Sequence, residues 1–244
     1  FFVRIAIPFF VTKTQRRRMA CFAITPVVTM LETLRITEIF YSLQGETRTA
    51  GLPTVFVRLT GCPLRCQYCD TAYAFSGGEL LSLDDILATV AGYKPRYVCV
   101  TGGEPLAQPN CIPLLTRLCD AGYEVSLETS GALDIAPVDA RVSRVVDLKT
   151  PGSLEVSRNR YENIGLLTEM DQVKFVICSR NDYDWAVSKL IEYRLDQRAG
   201  EVLFSPSQHD LKARDLAEWI IADNLPVRLQ LQLHKILWND EPGH

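Results

Sequence analysis

Three cysteines fall within the run Gly61-Cys62-Pro63-Leu64-Arg65-Cys66-Gln67-Tyr68-Cys69-Asp70-Thr71, spaced C-x3-C-x2-C with an aromatic residue before the last. Three clustered thiolates can hold three irons of a cubic [4Fe–4S] cluster, whereas an electron-transfer cluster uses four. The next cysteine is Cys99, so one iron is left open for a reagent to bind. A structural zinc site needs a fourth Cys or His within range. The three histidines, His209, His234 and His244, all lie far along the chain. Pro63, Arg65 and Gln67 between the thiols argue for an exposed loop rather than for three buried core residues. Cys99, Cys111, Cys119 and Cys178 sit in apolar strand or helix patterns and read as small core residues.

A second constellation is Thr101-Gly102-Gly103-Glu104-Pro105, which ends a strand pattern. Alone, two glycines report a tight turn or a close backbone approach. Beside the cysteine loop they expose backbone groups to an amino-acid ligand, and Glu104 can pair with an ammonium.

The elements that must position these groups alternate along the chain. Predicted strands are Leu34–Leu43, Thr54–Leu59, Tyr97–Thr101, Glu124–Thr129, Val145–Leu148, Val173–Cys178, Glu201–Ser205 and Arg228–Leu233. Predicted helices are Ser82–Ala91, Ile112–Ala121, Tyr183–Leu195 and Ala213–Asn224, with Ser82 as an N-cap and Gly122 as a stop. Strands followed by helices imply a mostly parallel sheet with right-handed crossovers. A closed eight-unit barrel takes about 250 residues. The fold class is therefore α/β, a partial, open β/α barrel with fewer helices than strands. The motifs follow the strand ends, where α/β sheets build their sites, so one shared pocket is expected.

The chain has 244 residues, is 47% hydrophobic and carries a net charge of −3. That suits one sizeable domain over residues 30–244 and provides no global basic field for nucleic acid. Residues 1–29 lack a clean period and carry Gln15-Arg16-Arg17-Arg18; they read as a leader or extension, with Met19 or Met30 as the start and a basic targeting arm as the alternative. Cys21 falls in this stretch. The apolar start precedes the basic run, the reverse of a secretory signal, and it is too short to span a membrane. The setting expected is the cytoplasm.

With these motifs in place, the chain resembles the radical S-adenosylmethionine superfamily. A narrower resemblance rests on Ile39-Phe40-Tyr41-Ser42-Leu43-Gln44-Gly45-Glu46, Val57-Arg58-Leu59-Thr60-Gly61-Cys62, Cys69-Asp70-Thr71, Glu128-Thr129-Ser130-Gly131 and Asp147-Leu148-Lys149-Thr150-Pro151. These runs resemble the 7-carboxy-7-deazaguanine synthase family of the queuosine pathway, from about Leu34 to Pro242. The resemblance implies a [4Fe–4S] cluster on Cys62, Cys66 and Cys69, S-adenosylmethionine cleaved to a 5′-deoxyadenosyl radical, and Mg²⁺ on Thr71. It implies a lyase that turns 6-carboxy-5,6,7,8-tetrahydropterin into 7-carboxy-7-deazaguanine with loss of ammonia. Substrate contacts carry over to Leu43, Gln44, Gly45, Glu46, Arg58, Thr101 and Pro242. S-adenosylmethionine contacts carry over to Gly103, Glu104, Ser130, Asp147, Leu148 and Lys149, with the segment Cys178, Ser179, Arg180 and Asn181 on the adenosine side. The residue types fit independently: a carboxylate such as Glu46 pairs with the guanidine-like edge of a pterin, and a guanidinium such as Arg58 takes a substrate carboxylate bidentately.

One departure is Thr47, where the family run Gln-Gly-Glu-Gly has its last glycine; the turn is either shifted or ends before it. The family also implies a homodimer, to which the alternation Leu229-Gln230-Leu231-Gln232-Leu233 lends a terminal edge strand, and a flavodoxin-like or ferredoxin-like reductant. His234, Lys235 and Trp238 read as packing or dimer residues. The alternatives are a glycyl-radical-enzyme activating enzyme, which gives no reason for Gln44-Gly45-Glu46 or Arg58, and a non-enzymatic iron–sulfur or zinc module, which predicts no binding of S-adenosylmethionine.

Overall fold

Alternation along the strands decides what each side chain faces. In the computed structural model, which describes residues 32–239 and 241, the strands are β1 (Thr33–Leu43), β2 (Pro53–Leu59), β3 (Glu79–Ser82), β4 (Tyr97–Gly102), β5 (Glu124–Thr129), β6 (Ser143–Asp147), β7 (Gln172–Ile177), β8 (Glu201–Pro206) and β9 (Arg228–Leu229). They form one nine-stranded sheet in the order β3-β1-β2-β4-β5-β6-β7-β8-β9. From β2 to β9 every pairing is parallel; β1 runs antiparallel to both β2 and β3. Six helices accompany the nine strands among the described residues: α1 (Leu83–Gly92), α2 (Cys111–Asp120), α3 (Arg180–Tyr193), α4 (Leu195–Arg198), α5 (Ala213–Ala222) and α6 (Leu233–Trp238). This is the open, partial barrel expected, with fewer helices than strands. The leader, Cys21 and Pro242 lie outside the described residues.

Successive strand residues point to opposite faces. One set, Val55, Val57, Leu59, Val98, Val100, Leu127, Val146, Leu148, Val173, Phe175, Ile177 and Phe204, is buried in the hydrophobic core. The helices cover that face. On α2, Cys111, Leu114, Leu115 and Leu118 recur at the i, i+3, i+4, i+7 spacing of one helical stripe, and all four are fully buried. Each such side chain stabilises the fold by roughly 1.5–3 kcal/mol relative to exposure. The opposite set, including Arg58, Thr101, Asp147 and Lys174, faces the inside of the open barrel.

Three elements differ from expectation. β3 pairs with β1 over Thr33–Ile36, a contact between short segments that no local pattern announces. The predicted terminal strand Arg228–Leu233 reduces to Arg228–Leu229, and Leu233–Trp238 is helix. The Leu233 amide donates to Gly45 O at 2.9 Å instead of extending a ladder. Helix α3 starts at Arg180, three residues earlier than expected, because Ser179 caps it by accepting from the Asp182 amide.

Candidate active site

The parallel strands end around one cavity of about 620 Å³. Its wall takes inward residues near the end of each strand in turn: Arg58 of β2, Thr101 of β4, Glu128 of β5, Asp147 of β6, Lys174 and Val176 of β7 and Ser205 of β8. The register places several side by side: Arg58 opposite Thr101, Asp147 opposite Lys174, and Ser205 opposite Val176. The cysteine loop after β2 forms the rim, and Cys62, Cys66, Tyr68, Cys69 and Thr71 all face in.

Glycine sets how that loop sits. A Cβ on Gly103 would stand 2.2 Å from Gly61 O and 2.8 Å from Cys62 Cβ, so the end of β4 touches the cysteine loop backbone to backbone. The Gly103 amide donates to Leu59 O (3.1 Å) and the Glu104 amide to Gly61 O (2.8 Å). From the other side the Gln67 amide donates to Ser153 O, and the Arg65 amide to the Glu155 carboxylate. The three-thiol segment is thus held at its start, through Gly61, and at its middle, through Arg65 and Gln67. Burial raises the Cys62 thiol and pushes Cys66 up to about 11; deprotonating them needs the free energy of ligation.

Glu104 does not face the cavity. It is fully buried, and its carboxylate accepts from the Leu106 amide (3.0 Å), Thr129 Oγ1 (2.9 Å), the Ser130 amide (2.7 Å) and Ser130 Oγ. Glu104 as placed ties the end of β4 to the end of β5. Leu148 is likewise in the core, one position out of phase with Asp147 and Lys149, which do line the cavity. The segment 178–181 is also displaced from the wall. Ser179 caps α3, while Arg180 pairs with Asp184 (2.9 Å) and lies over Tyr183 and Trp219. The wall on that side is Ser205–His209, after β8.

At the opposite corner Arg58 Nε meets Glu38 Oε1 at 2.7 Å, and Tyr73 Oη donates to the same oxygen at 2.8 Å. Gln44 Nε2 donates to Glu128 Oε1 (3.3 Å) and Thr101 Oγ1 to Glu128 Oε2 (2.9 Å). Glu46 pairs with Lys174, and Asp147 with Lys149 at 2.8 Å. Burial would lower both ammonium groups, but the neighbouring carboxylates outweigh it and raise them, so both remain charged at neutral pH. Three buried polar atoms of the wall have no protein partner: Glu46 Oε1, Asp147 Oδ1 and Tyr68 Oη. Unsatisfied buried polar atoms are costly, and a polar ligand would satisfy them.

Thr47 is buried at φ +66°, the left-handed conformation that glycine favours, so a β-branched residue here holds a backbone conformation suited to glycine. Its Oγ1 lies 3.1 Å from Thr49 Oγ1. His234 and Lys235, expected as packing or dimer residues, both line the cavity. A Cβ on Gly45 would strike His234 Nδ1 at 2.2 Å, so the imidazole rests on that glycine. Burial lowers the His234 pKa and favours its neutral form.

Glu128, Lys174 and Ser205 are wall residues that the motif reading did not place at the site. A signal was available, since each shares its strand face with a neighbour two positions away. Glu46, Thr101, Arg58 and the three cysteines were legible from their motifs.

The Radical SAM superfamily model matches residues 56–190. The 7-carboxy-7-deazaguanine synthase of Koribacter versatilis is 42% identical over 222 residues, covering 85% of this chain and 98% of that protein. This chain belongs to that family. The synthase of Chlorobaculum tepidum is 44% identical over 211 residues, covering 85% of this chain and 96% of its own. Among solved structures, QueE from Escherichia coli superposes with a TM-score of 0.65 at 26% identity, covering 84% of this chain and 97% of that one. Superfamily membership implies a [4Fe–4S] cluster and S-adenosylmethionine. The donor set fits: three thiols share one rim, a glycine contact keeps that rim clear of side-chain bulk, and unpartnered Asp147 Oδ1 and Tyr68 Oη lie in the wall.

Proposed function

We propose that this chain is a radical S-adenosylmethionine lyase that converts 6-carboxy-5,6,7,8-tetrahydropterin to 7-carboxy-7-deazaguanine with loss of ammonia. The observation that carries the reading is the joining of two chemistries in one cavity. A three-thiol rim faces a wall that holds a buried carboxylate with one unpartnered oxygen, Glu46 Oε1, and a guanidinium, Arg58. The first suits the cofactors; the second suits a ligand with a guanidine-like edge and a carboxylate.

Cys62, Cys66 and Cys69 would hold the cluster. Together with S-adenosylmethionine it supplies, when bound, one-electron cleavage of a carbon–sulfur bond. The chain binds, orients and shields. Gly103 and Ser130 border the place for the amino-acid end, and Asp147 and Lys149 present a paired charge beside Tyr68, whose ring lies 5.8 Å from Lys149 Nζ. The adenosine side is assigned to Ser205–His209 in place of 178–181. On the substrate side, Glu46 accepts from the pterin edge and Leu43, Gln44 and Gly45 form the turn that presents it. Glu38 takes Nε of Arg58, and the remaining N–H groups of the guanidinium serve the substrate carboxylate. Thr71 is the Mg²⁺ ligand proposed: its hydroxyl donates to Asp70 Oδ1 at 2.9 Å, which orients its oxygen lone pairs away from Asp70. Mg²⁺ keeps waters and takes substrate oxygens beside such a ligand.

A homodimer, a flavodoxin-like or ferredoxin-like reductant and a cytoplasmic setting belong to the same reading. Among the described residues no helix is long and apolar enough to cross a membrane. Anaerobic turnover with Mg²⁺, S-adenosylmethionine and the carboxy-tetrahydropterin, read by product absorbance, tests the assignment. Cys66→Ala is expected to make no product; undiminished product from that variant refutes it.

A further inference from the structure

Among the charged groups of the cavity wall, Glu46, Glu128, Asp147, Lys149 and Lys174 act on one another, and their pairing is one-sided. Asp147 has Lys149 at 2.8 Å. Glu128 is held by neutral donors, Gln44 Nε2 and Thr101 Oγ1. Glu46 has Lys174, and the two side chains are 10% and 13% exposed. Lys174 lies on the inward face of β7, opposite Asp147 in the ladder, with Glu128 also acting on its charge.

A carboxylate buried without a partner takes up a proton or turns toward water. Lys174 supplies that partner for Glu46 and engages only one of its oxygens. Oε2 meets the ammonium, while Oε1 is buried and unpartnered. The Glu46 backbone is fixed separately, its amide donating to Gln44 Oε1 at 3.1 Å. An ionised carboxylate with one open oxygen accepts hydrogen bonds and donates none. It therefore favours a ring edge whose 2-substituent is an N–H donor over one whose 2-substituent is an oxo acceptor.

We propose that Lys174 is a specificity-determining positioning residue: by fixing Glu46 through one oxygen it makes the cavity select a ring with an amino-bearing, guanidine-like edge over its oxo counterpart. Lys174 acts through Glu46 and donates nothing to the reaction. The inference rests on the functional reading above and adds the origin of its selectivity.

The test is equilibrium binding to the reconstituted holoprotein with S-adenosylmethionine present. The probes are 6-carboxypterin and 6-carboxylumazine, fluorescent oxidised rings that differ in carrying an amino or an oxo group at position 2. Wild type is expected to prefer the pterin by at least about tenfold, as a charge-assisted contact implies. Lys174→Met is expected to reduce that preference to within about twofold while S-adenosylmethionine affinity changes by less than about twofold. Lys174→Arg, which keeps the charge, retains most of the preference. The double variant Glu46→Gln/Lys174→Met removes both charges and so avoids an unpaired buried carboxylate. Its preference is expected to equal that of Glu46→Gln alone. A Lys174→Met protein with the wild-type preference, or a double variant with a further additive loss, overturns the inference and leaves the functional reading standing. A wild type that binds neither ring overturns both.

Discussion

Lys235 Nζ lies 2.9 Å from Asp70 Oδ2, so helix α6 at the far end of the chain is tied to the loop that carries the third cysteine. Gln232 Nε2 donates to the same oxygen at 3.1 Å, and His234 between them rests on Gly45. Burial would raise the Asp70 carboxyl, but Lys235 outweighs it and holds the group well below the usual carboxylate range. Helix α6 and the residue before it thereby close one side of the cavity. Lys235→Met is expected to raise the KM for the pterin by about three- to tenfold, a modest figure because Asp70 is 47% exposed and the pair is partly screened. Cluster content should be unchanged. Steady-state kinetics with iron analysis checks this; an unaltered KM would show that α6 closes nothing.

Gly103 cannot acquire a Cβ without displacing backbone, since the nearest atom is Gly61 O. Gly103→Ala is therefore expected to destabilise the protein by at least about 2 kcal/mol and to lower the iron bound per chain on reconstitution. Gly92→Ala is the control. Its Cβ meets nothing within 4 Å and it ends a helix, so the change should be neutral or stabilising by up to about 1 kcal/mol. Thermal melts and iron assays on the pair separate backbone contact from loss of a glycine as such.

The exchange of 178–181 for 205–209 as the cavity wall has a direct consequence. Arg180 is committed to Asp184, Tyr183 and Trp219 on the outer surface of α3. Arg180→Ala should leave S-adenosylmethionine affinity within about twofold of wild type. Ser205 is buried at the cavity wall, and Ser205→Leu adds bulk there. It is expected to weaken S-adenosylmethionine by at least about tenfold, as overfilling a packed wall implies. Equal effects of the two substitutions would return the adenosine side to the earlier segment.

The misplacement of 178–181 also shows what the sequence made legible. The order of strands and helices, the open barrel and the cysteine rim followed from local pattern and spacing. Leu148 and Glu104 neighbour wall residues in sequence, yet strand alternation turns the Leu148 side chain into the core and a set of four donors turns the Glu104 carboxylate away from the cavity. Lys174 was missed because no motif contains its pairing with Glu46, 128 residues apart. Helix α6 was hidden by Leu229, Leu231 and Leu233, whose period of two favours a strand. Bonds to Gly45 and Asp70 overrule that preference, and no local signal reports them.

Away from the site, Arg144 and Asp171 form a buried two-point ion pair, with side chains 10% and 0% exposed. Arg144 Nε meets Asp171 Oδ1 at 3.0 Å and Nη2 meets Oδ2 at 2.5 Å, with the Arg144 and Thr168 amides donating as well. Burial would push the Asp171 carboxyl up; the Arg144 hydrogen bonds and the two amides outweigh it and hold the group below its ordinary value. A carboxyl depressed in the folded state stabilises above the unfolded value, near 3.9, and that contribution disappears as pH falls through the folded value. Arg144→Met leaves the carboxylate buried with its amide donors only and is expected to cost about 3–5 kcal/mol at pH 7. In urea melts from pH 7 to pH 3, the gap between wild type and variant should hold steady down to about pH 5. It should then narrow below about pH 4, where protonation relieves the variant and begins to strip wild type of the pair. A gap of constant size across that range would mean that Arg144 stabilises by packing its aliphatic stem and that the charge pair contributes nothing.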